Sequence, residues 1–292
     1  MSDIGEVGRF QPDAVENAPI LRLQHGKLTV EGYSRAAVQT YWRIPELKIG
    51  FDLGAHPWAF MNTPNWCISH FHLDHAAALP VYVARRRMMK MSEPTVYMPA
   101  HAVPIVERIF KLWERLDRGR MKCQLVGLEP GQEVELSREL VLTPFATRHT
   151  VPSLGYLVWE RRRKLKPEYR GLPGEQIRNL RYSGVEVTQE LRIPLVAYLG
   201  DTSPEGLDNY PPVYEAKILI VELTFLAPGH RREKIHKFGH IHLDDLVERA
   251  DRFQNEVIIG AHVSTRYHPE RAAKLVERRV PEPLRSKLKL WL

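Results

Sequence analysis

The chain has 292 residues, of which 43% are hydrophobic and 26% charged, a composition typical of one large or two small globular domains. No apolar run approaches the roughly 20 residues of a membrane-spanning helix. Residues 1–17 lack the cationic and apolar regions of a secretory signal. Lys and Arg exceed Asp and Glu by 42 to 35, and this net charge of +7 is compatible with a polyanionic partner without establishing one. Two cysteines make no disulfide framework, so we expect a reducing, cytoplasmic location.

The first third of the chain reads as a tail followed by short strands. Residues 1–20 show no periodicity, which predicts a loose N-terminal tail ahead of a single domain over residues 21–292. Apolar and β-prone segments bounded by Gly and Pro predict strands at 21–23, 27–30, 37–42, 47–52 and 66–69. Residues 76–79 read as the start of a helix. The six residues 70–75 are therefore predicted to form a strand-to-helix loop.

That loop, His70-Phe71-His72-Leu73-Asp74-His75, is the densest group of metal-binding side chains in the sequence. Imidazole nitrogen and carboxylate oxygen are the ligands that zinc takes in catalytic sites. Side chains at i and i+2 of an extended segment point the same way, so His70 and His72 can share one ion. Asp74 and His75, after the chain turns, can serve a second. A polar surface loop with incidental histidines is the competing interpretation, and four ligands at this density disfavour it.

The middle of the chain combines regular elements with a basic segment. The apolar spacing of Ile105, Ile109, Leu112 and Leu116 predicts a helix over 104–116. Strands are predicted at 133–142 and 154–160. Residues 161–192 are basic and interrupted by Pro and Gly, which predicts an insertion outside the core. The cationic runs at 85–87 and 161–164 either follow a nucleic-acid backbone or form solvated faces.

Later apolar runs end in residues that bind metals. The runs at 195–199, 216–223 and 256–259 suit strands buried on both faces, and helices are predicted at 242–253 and 270–278. A lone His at a strand end is usually structural, but several such ends beside a ligand-rich loop indicate one site. The candidates at the strand ends are His149, Asp201, Glu222 and His262. Two sets of strands with covering helices predict an α/β sandwich.

The chain thereby resembles the metallo-β-lactamase superfamily and, within it, ribonuclease Z, the tRNA 3′-processing endonuclease. The similarity to the superfamily rests on Ser69–His75, His149, Asp201 and His262. The similarity to ribonuclease Z rests on further motifs: Gly200-Asp201-Thr202, Glu222-Leu223-Thr224-Phe225, His240-Ile241-His242, 262–267 and, in the basic segment, 171–174 and 183–188. The resemblance implies an αββα sandwich of two mixed β-sheets covered by helices.

The resemblance also implies a metal centre with two Zn²⁺ ions, for which Mn²⁺ or Fe²⁺ can substitute. One ion would be held by His70, His72 and His149, the other by Asp74, His75 and His262, with Asp201 bridging. A metal-bridging hydroxide would hydrolyse a phosphodiester of RNA. Asp74 would also serve catalysis, although Asp is a good N-cap and this residue could instead cap the helix predicted nearby.

The leaving 3′-oxygen needs a proton, and imidazole is the usual donor. His240 matches the family position for this role, with Glu222 orienting it, and His242 is the competing candidate. The expected partners are RNA, pre-tRNA in particular, and a second copy of the chain, with no membrane.

Two departures from the family keep another function open. Residues 32–36 lack the family's N-terminal loop associated with tRNA, and the arm between Tyr156 and Asp201 is shortened. The alternative is a metallo-hydrolase of a small phosphodiester or another ester, with no role in tRNA processing.

Overall fold

The computed structural model describes residues 18–292, so residues 1–17 of the predicted tail lie outside the described residues. The chain divides into two compact units, an N-terminal unit that ends at Val126 and a C-terminal unit, Gly127–Leu292. The predicted single domain over 21–292 stays a prediction. Within residues 18–292, no helix combines the length and the apolar character required to cross a bilayer.

The N-terminal unit is built on a seven-stranded mixed sheet in which the strands follow chain order. β1 to β4 pair antiparallel, whereas β4, β5 and β6 are parallel. The strands are β1 Leu21–His25, β2 Leu28–Arg35, β3 Gln39–Ile44, β4 Ile49–Leu53, β5 Asn65–Cys67, β6 Thr95–Pro99 and β7 Gln124–Leu128. The helices are α1 Leu73–Ala76, α2 Leu79–Met88 and α3 Val103–Asp117.

The predicted strands of this unit are present, but the helix after the histidine loop begins earlier than expected. α1 starts at Leu73, inside the motif, with His72 at the N-cap position. Ala76 ends this short helix instead of starting one. α2 then begins at Leu79 with Pro80 in its first turn, where a residue without an N–H is tolerated.

α3 has the predicted length, but its apolar residues point in two directions. Val106 and Phe110 are buried in the core beside Tyr82 and Trp66. The residues that defined the predicted apolar face are exposed, by 56% at Ile105, 41% at Ile109, 59% at Leu112 and 75% at Leu116. Because a helix has room for only one core-facing stripe, the second stripe is left at the surface of this unit.

The C-terminal unit has its own seven-stranded mixed sheet, in the order β14-β13-β12-β11-β10-β9-β8. β8 to β11 pair antiparallel and β11 to β14 parallel. The strands are β8 Val134–Ser137, β9 Leu140–Ala146, β10 Leu154–Leu165, β11 Thr188–Tyr198, β12 Ile218–Glu222, β13 Val257–Ala261 and β14 Leu288–Leu290. The helices are α4 Gly174–Tyr182, α5 Glu205–Asp208, α6 Arg232–Lys237, α7 Leu243–Val247, α8 Pro269–Arg279 and α9 Leu284–Lys287.

The central strands of this sheet are buried along their whole length, as their continuous apolar sequences predict. Every residue of β12 and β13 is buried. Both strands run parallel to β11, so all three carboxyl ends lie at one edge of the sheet. The residues that follow these ends, Asp201, Glu222 and His262, are therefore neighbours. The helix predicted over 242–253 is shorter, because α7 stops at Val247 and only a 3₁₀ turn follows.

The basic segment 161–192 is more regular than predicted. β10 continues through the cationic run to Leu165, and β11 starts at Thr188, with Arg161 opposite Arg192 and Leu165 opposite Thr188. α4 lies between the two strand ends. The segment is thus a β-hairpin arm with a helical tip, and Val187 is its one buried residue. Alternating apolar residues are missing here because neither face of the arm covers a core.

Candidate active site

The N-terminal unit presents its four candidate ligands from the loop after β5 and from α1. His70 Nε2 lies 3.1 Å from His72 Nδ1, in agreement with the expected i, i+2 pairing. The rings of His70 and His75 are 4.2 Å apart between centroids. His75 Nε2 is 3.8 Å from Asp74 Oδ2. The four side chains thus converge on one small volume.

A buried carboxylate that the sequence analysis did not assign to the site orders these ligands. Asp52 is fully buried and accepts hydrogen bonds from the Ser69 amide at 2.6 Å and the Ser69 hydroxyl at 2.7 Å. His75 Nδ1 lies 2.7 Å from the same carboxylate. Since Nδ1 donates to Asp52, the Nε2 lone pair of His75 is available to a metal. Asp52 is also the last residue of the apolar strand predicted over 47–52, the same pattern that identified the other candidates.

Ser69 transmits the same constraint to His70. The Ser69 hydroxyl gives its proton to Asp52, so it accepts from His70 Nδ1, 3.0 Å away. The Nε2 lone pair of His70 is then available as well. Two histidines are held in the metal-binding tautomer by one buried carboxylate.

Asp74 does not cap a helix, contrary to one of its two expected roles. It lies in the first turn of α1, and no side-chain hydrogen bond caps that helix. Asp74 Oδ2 instead accepts the Ala37 amide at 3.0 Å, which fixes the carboxylate in the turn between β2 and β3.

The C-terminal unit brings together ligand candidates from separate strand ends. His149 Nε2 is 3.9 Å from Asp201 Oδ2, and His262 Nδ1 is 3.5 Å from Asp201 Oδ1. His149, Asp201 and His240 each offer a ligand atom within 4.8 Å of the others, as do Glu222, His240 and His262. His262 follows β13 in the left-handed region at φ 56°, a strain typical of functional positions.

Gly239 fixes the distance between His149 and the segment that carries His240. His149 Nδ1 lies 3.0 Å from the Gly239 carbonyl, so Nδ1 donates and Nε2 is left for a metal. A Cβ on Gly239 would lie 2.5 Å from His149 Cα, and its φ of 69° suits glycine. Only glycine allows this close approach.

Glu222 and His240 form a second functional pair beside these ligands. His240 Nδ1 is 3.0 Å from Glu222 Oε1, which also accepts the Ile241 amide at 3.1 Å. Glu222 Oε2 accepts the amide of Thr224 at 3.0 Å and its hydroxyl at 2.7 Å. The carboxylate is therefore held rigidly, with its side chain only 2% exposed. The ring of His240 lies 5.2 Å from that of His149.

His242, the competing histidine, has both ring nitrogens engaged in structural hydrogen bonds. Its Nε2 donates to the Ala227 carbonyl at 2.8 Å, and its Nδ1 accepts the Asp244 amide at 3.1 Å as the N-cap of α7. The His242 side chain is 1% exposed, compared with 21% for His240. Geometry thus favours His240 as the histidine that can transfer a proton.

Tyr267 holds the loop after β12 that supports His240. Its hydroxyl accepts the amides of Leu226 at 3.2 Å and Ala227 at 3.1 Å, and gives its proton to His230 Nε2 at 3.2 Å. Phe225 in the same loop pairs with the segment of His240 through the Ile241 carbonyl. Long-range contacts of this kind leave no local signal in the sequence.

The donor set of each unit, taken by itself, fits divalent zinc. Imidazole and carboxylate are the appropriate ligand types. Hydrogen bonds on Nδ1 of His70, His75 and His149 leave Nε2 for coordination, which is the usual arrangement around catalytic metals.

Comparison with known proteins identifies the family. A profile of the beta-lactamase superfamily domain matches residues 67–263. tRNase Z TRZ1 of Arabidopsis thaliana is 37% identical over 261 residues, covering 89% of this chain and 93% of the relative. The chain belongs to the ribonuclease Z family. The chloroplastic tRNase Z TRZ2 of the same plant is 33% identical, covering 85% of this chain and 70% of the relative.

Membership of this family confirms the predicted enzyme class, a metal-dependent hydrolase of ribonuclease Z type, over a hydrolase of small esters. The metallo-beta-lactamase fold protein YhfI from Bacillus subtilis has a TM-score of 0.60 at 12% identity, covering 88% of this chain and 92% of that one. This similarity concerns the fold alone, and it confirms the predicted fold class.

Proposed function

We propose that the protein is a zinc-dependent endonuclease that cleaves the 3′ extension of pre-tRNA. His70, His72, Asp74, His75, His149, Asp201 and His262 would hold two zinc ions. Bound zinc ions would supply ionised water at neutral pH and charge stabilisation at the attacked phosphate. The observation that carries this proposal is the Glu222–His240 pair, because it adds a proton donor to a set of metal ligands.

The role of this pair follows from its hydrogen bonds. Attack of water on phosphorus breaks the bond to the ribose 3′-oxygen, which departs as an alkoxide unless it receives a proton. His240 Nδ1 is occupied by Glu222, so Nε2 is the atom that delivers the proton. The Glu222 carboxylate orients the ring and stabilises its protonated form. Asp74 would accept a proton from the attacking water or bind the second ion.

The hairpin arm supports RNA as the substrate. Residues 161–192 contain nine Lys or Arg and four Asp or Glu, which accounts for most of the chain's net charge of +7. Near its base the charges are paired, Arg161 with Glu135 and Arg162 with Glu160. At the tip, Arg178 and Arg181 are exposed on α4 and form no ion pair within the described residues. Uncompensated cations of this kind attract a phosphate backbone.

Cleavage assays with two substrates test the proposed function. Metal-loaded protein should cut a 3′-extended pre-tRNA once, at the 3′ side of the acceptor stem, and also hydrolyse bis(p-nitrophenyl) phosphate. Arg178→Gln with Arg181→Gln should raise KM for pre-tRNA and flatten its salt dependence. The same variant should leave the small ester unaffected. Hydrolysis of the ester without any cleavage of pre-tRNA would contradict the tRNA role and would instead favour a hydrolase of small esters.

Metal analysis tests the cofactor separately. Protein purified without chelator should contain close to two equivalents of zinc. Removal of the zinc should abolish hydrolysis, and re-addition should restore it. A metal-free protein that still cleaves RNA would contradict the proposal.

The exposed stripe of α3 supports a homodimer. Trp113, which is 45% exposed, lies on the same helix as the four exposed apolar residues Ile105, Ile109, Leu112 and Leu116. Contiguous apolar surface of this extent on a monomer usually marks an interface. Ile109→Glu with Leu116→Glu should convert a dimer to a monomer in light scattering after size exclusion, without loss of fold. A monomeric wild-type chain would contradict this part of the proposal.

A reducing compartment, in our proposal the cytoplasm, suits the two free cysteines, of which Cys67 is buried and Cys123 partly so. One relative is named as chloroplastic, so compartment differs within the family. Imaging of a fluorescent fusion checks the location.

A further inference from the structure

A cavity of about 400 Å³ in the N-terminal unit lies outside the site described above. Its lining includes Gln39, Gly54, His56, Trp58, Ala77 and Arg85. Cavities of about 300–1,000 Å³ accommodate small ligands such as a mononucleotide. Gly54 packs this lining closely against the segment of Asp74, because a Cβ on Gly54 would lie 1.8 Å from the Asp74 carbonyl oxygen.

Arg85 supplies a fixed positive charge to this cavity. One guanidinium nitrogen donates to the His56 carbonyl at 2.6 Å, which anchors the side chain. Within residues 18–292, no carboxylate lies within ion-pair distance of Arg85. Its neighbours on α2 differ: Arg87 pairs with Asp117 at 2.5 Å, and Arg86 is buried against the carbonyls of Met61 and Ser92.

His56 adds no second charge. Burial and the adjacent Arg85 lower the pKa of His56 to about 3, so its ring is neutral under physiological conditions. His56 is buried, and its ring centroid lies 4.8 Å from that of Tyr82. It therefore forms a rigid wall beside Arg85.

Trp58 provides an aromatic surface next to the charge. Its side chain is 37% exposed, and the guanidinium carbon of Arg85 lies 5.7 Å from its ring centroid. An indole face accepts a stacked nucleobase of any kind, and guanidinium binds phosphate oxygens. Every nucleotide carries both groups, a base that can stack on the indole and a phosphate that can bind the guanidinium.

We propose that this cavity binds a nucleotide, with its phosphate on Arg85 and its base against Trp58. The cavity lies against the segment that carries metal ligands, since Gly54 touches the Asp74 backbone and Ala77 directly follows α1. The bound nucleotide belongs either to an RNA substrate or to a free nucleotide. Binding itself does not depend on the proposed catalytic function, and it can be measured without turnover.

Isothermal titration of the full chain with four probes tests the proposal: adenosine 5′-monophosphate, inorganic phosphate, adenosine and a single-stranded RNA tetranucleotide. Arg85→Gln should weaken binding of the monophosphate about tenfold or more, because it removes a charge-assisted contact. Trp58→Ala should weaken binding of the monophosphate about tenfold, because stacking on the indole is lost, and should have little effect on binding of inorganic phosphate. If the tetranucleotide binds with much higher affinity than the monophosphate, the cavity binds a nucleotide of an RNA chain. If the monophosphate binds with the higher affinity, the cavity binds a free nucleotide.

Arg87→Gln is the matched control, since it removes the same charge from the same helix at a paired position. Melting temperature and zinc content should be unchanged in Arg87→Gln and Trp58→Ala. If Arg85→Gln does not fold, Trp58→Ala alone tests the proposal: it should weaken binding of the monophosphate while binding of inorganic phosphate stays nearly unchanged. A loss of monophosphate affinity in Arg87→Gln as large as that in Arg85→Gln would overturn the proposal. Monophosphate binding that survives Arg85→Gln but disappears in His72→Ala would also overturn it, because the nucleotide would then occupy the metal centre.

Discussion

The two units organise their candidate ligands in opposite ways. In the N-terminal unit four candidate ligands come from six consecutive residues, and a single buried carboxylate, Asp52, orders two of them, His75 directly and His70 through Ser69. In the C-terminal unit the ligands come from strand ends that are far apart in sequence. There Glu222 fixes His240, the proposed proton donor, and the loop of Thr224.

This difference suggests that the two carboxylates have different tasks. The Asp52 network contacts only proposed metal ligands, His70 and His75, so its proposed task is to set their tautomers. The Glu222 network contacts His240, the proposed proton donor, and also reaches the proposed ligand His262, whose Nδ1 lies 3.1 Å from the Thr224 hydroxyl. Substitution of Asp52 should therefore impair metal binding, whereas substitution of Glu222 should chiefly impair proton donation.

The largest effect is expected for Asp74→Ala, which should abolish hydrolysis with little loss of fold. The variant removes a proposed ligand and catalytic carboxylate. Its structural loss should be small, because Asp74 lies in a short helix where it caps no helix end and accepts the Ala37 amide. Steady-state kinetics and a thermal melt check both statements. Lowered melting with near-normal turnover would show that Asp74 serves the β2–β3 turn instead of the chemistry.

His240→Ala should reduce cleavage of pre-tRNA by about 10²–10⁴-fold, the usual contribution of general acid catalysis. Zinc content should stay intact. The loss should be much smaller with bis(p-nitrophenyl) phosphate, because p-nitrophenolate leaves without a proton. Equal losses for both substrates would indicate a positioning residue.

His242→Ala is the control for this assignment. It removes the N-cap of α7 and the donor to the Ala227 carbonyl, so it should lower stability by about 1–2 kcal/mol with a smaller effect on turnover. A larger kinetic defect here than in His240→Ala would mean that the proton donor is misassigned.

A smaller effect, about 10–100-fold in zinc affinity, is expected for Asp52→Asn. Asn tolerates the left-handed backbone of this position, at φ 55°, but its single amide oxygen cannot accept from both the Ser69 amide and His75 Nδ1, as the two carboxylate oxygens do. Glu222→Gln should chiefly reproduce the leaving-group dependence of His240→Ala, and it should weaken zinc binding less than Asp52→Asn, because it reaches only one proposed ligand, His262, through Thr224. If Glu222→Gln lost zinc as Asp52→Asn does, the division of tasks between the units would be wrong.

How far the sequence predicts the site depends on the distance over which its parts interact. The loop of His70 to His75 can be predicted because its ligands are adjacent in sequence. The strand-end residues can be predicted because buried strands have continuous apolar sequences. Asp52 ends the predicted strand 47–52 too, but an Asp after an apolar run is not informative until its partners are known. The exposure of Ile109 and Leu116 was unpredictable, because an apolar stripe has the same sequence whether it covers a core or an interface.

The smallest effect concerns acid stability, in which the two units should also differ. The pKa of His56 falls to about 3 in the fold, first because of burial and then because of Arg85, Arg86 and Arg43. The unfolded chain takes up this proton near pH 6.5, so stability is complete above that pH and declines as the pH falls toward 3. At pH 5 the loss is about 2 kcal/mol.

In the C-terminal unit the pKa of Asp208 is lowered to about 2, chiefly by its hydrogen bond with Arg249, so the stability it contributes is present above about pH 4 and is lost below. Between pH 6.5 and 4, the protection factors for hydrogen exchange, which correct for the intrinsic rate at each pH, should therefore fall in the N-terminal unit first. His56→Gln removes the titrating group and should flatten this dependence, whereas Asp208→Asn should leave it unchanged. An equal fall in protection in both units, or an unaltered pH slope in His56→Gln, would show that the buried imidazole does not control acid stability.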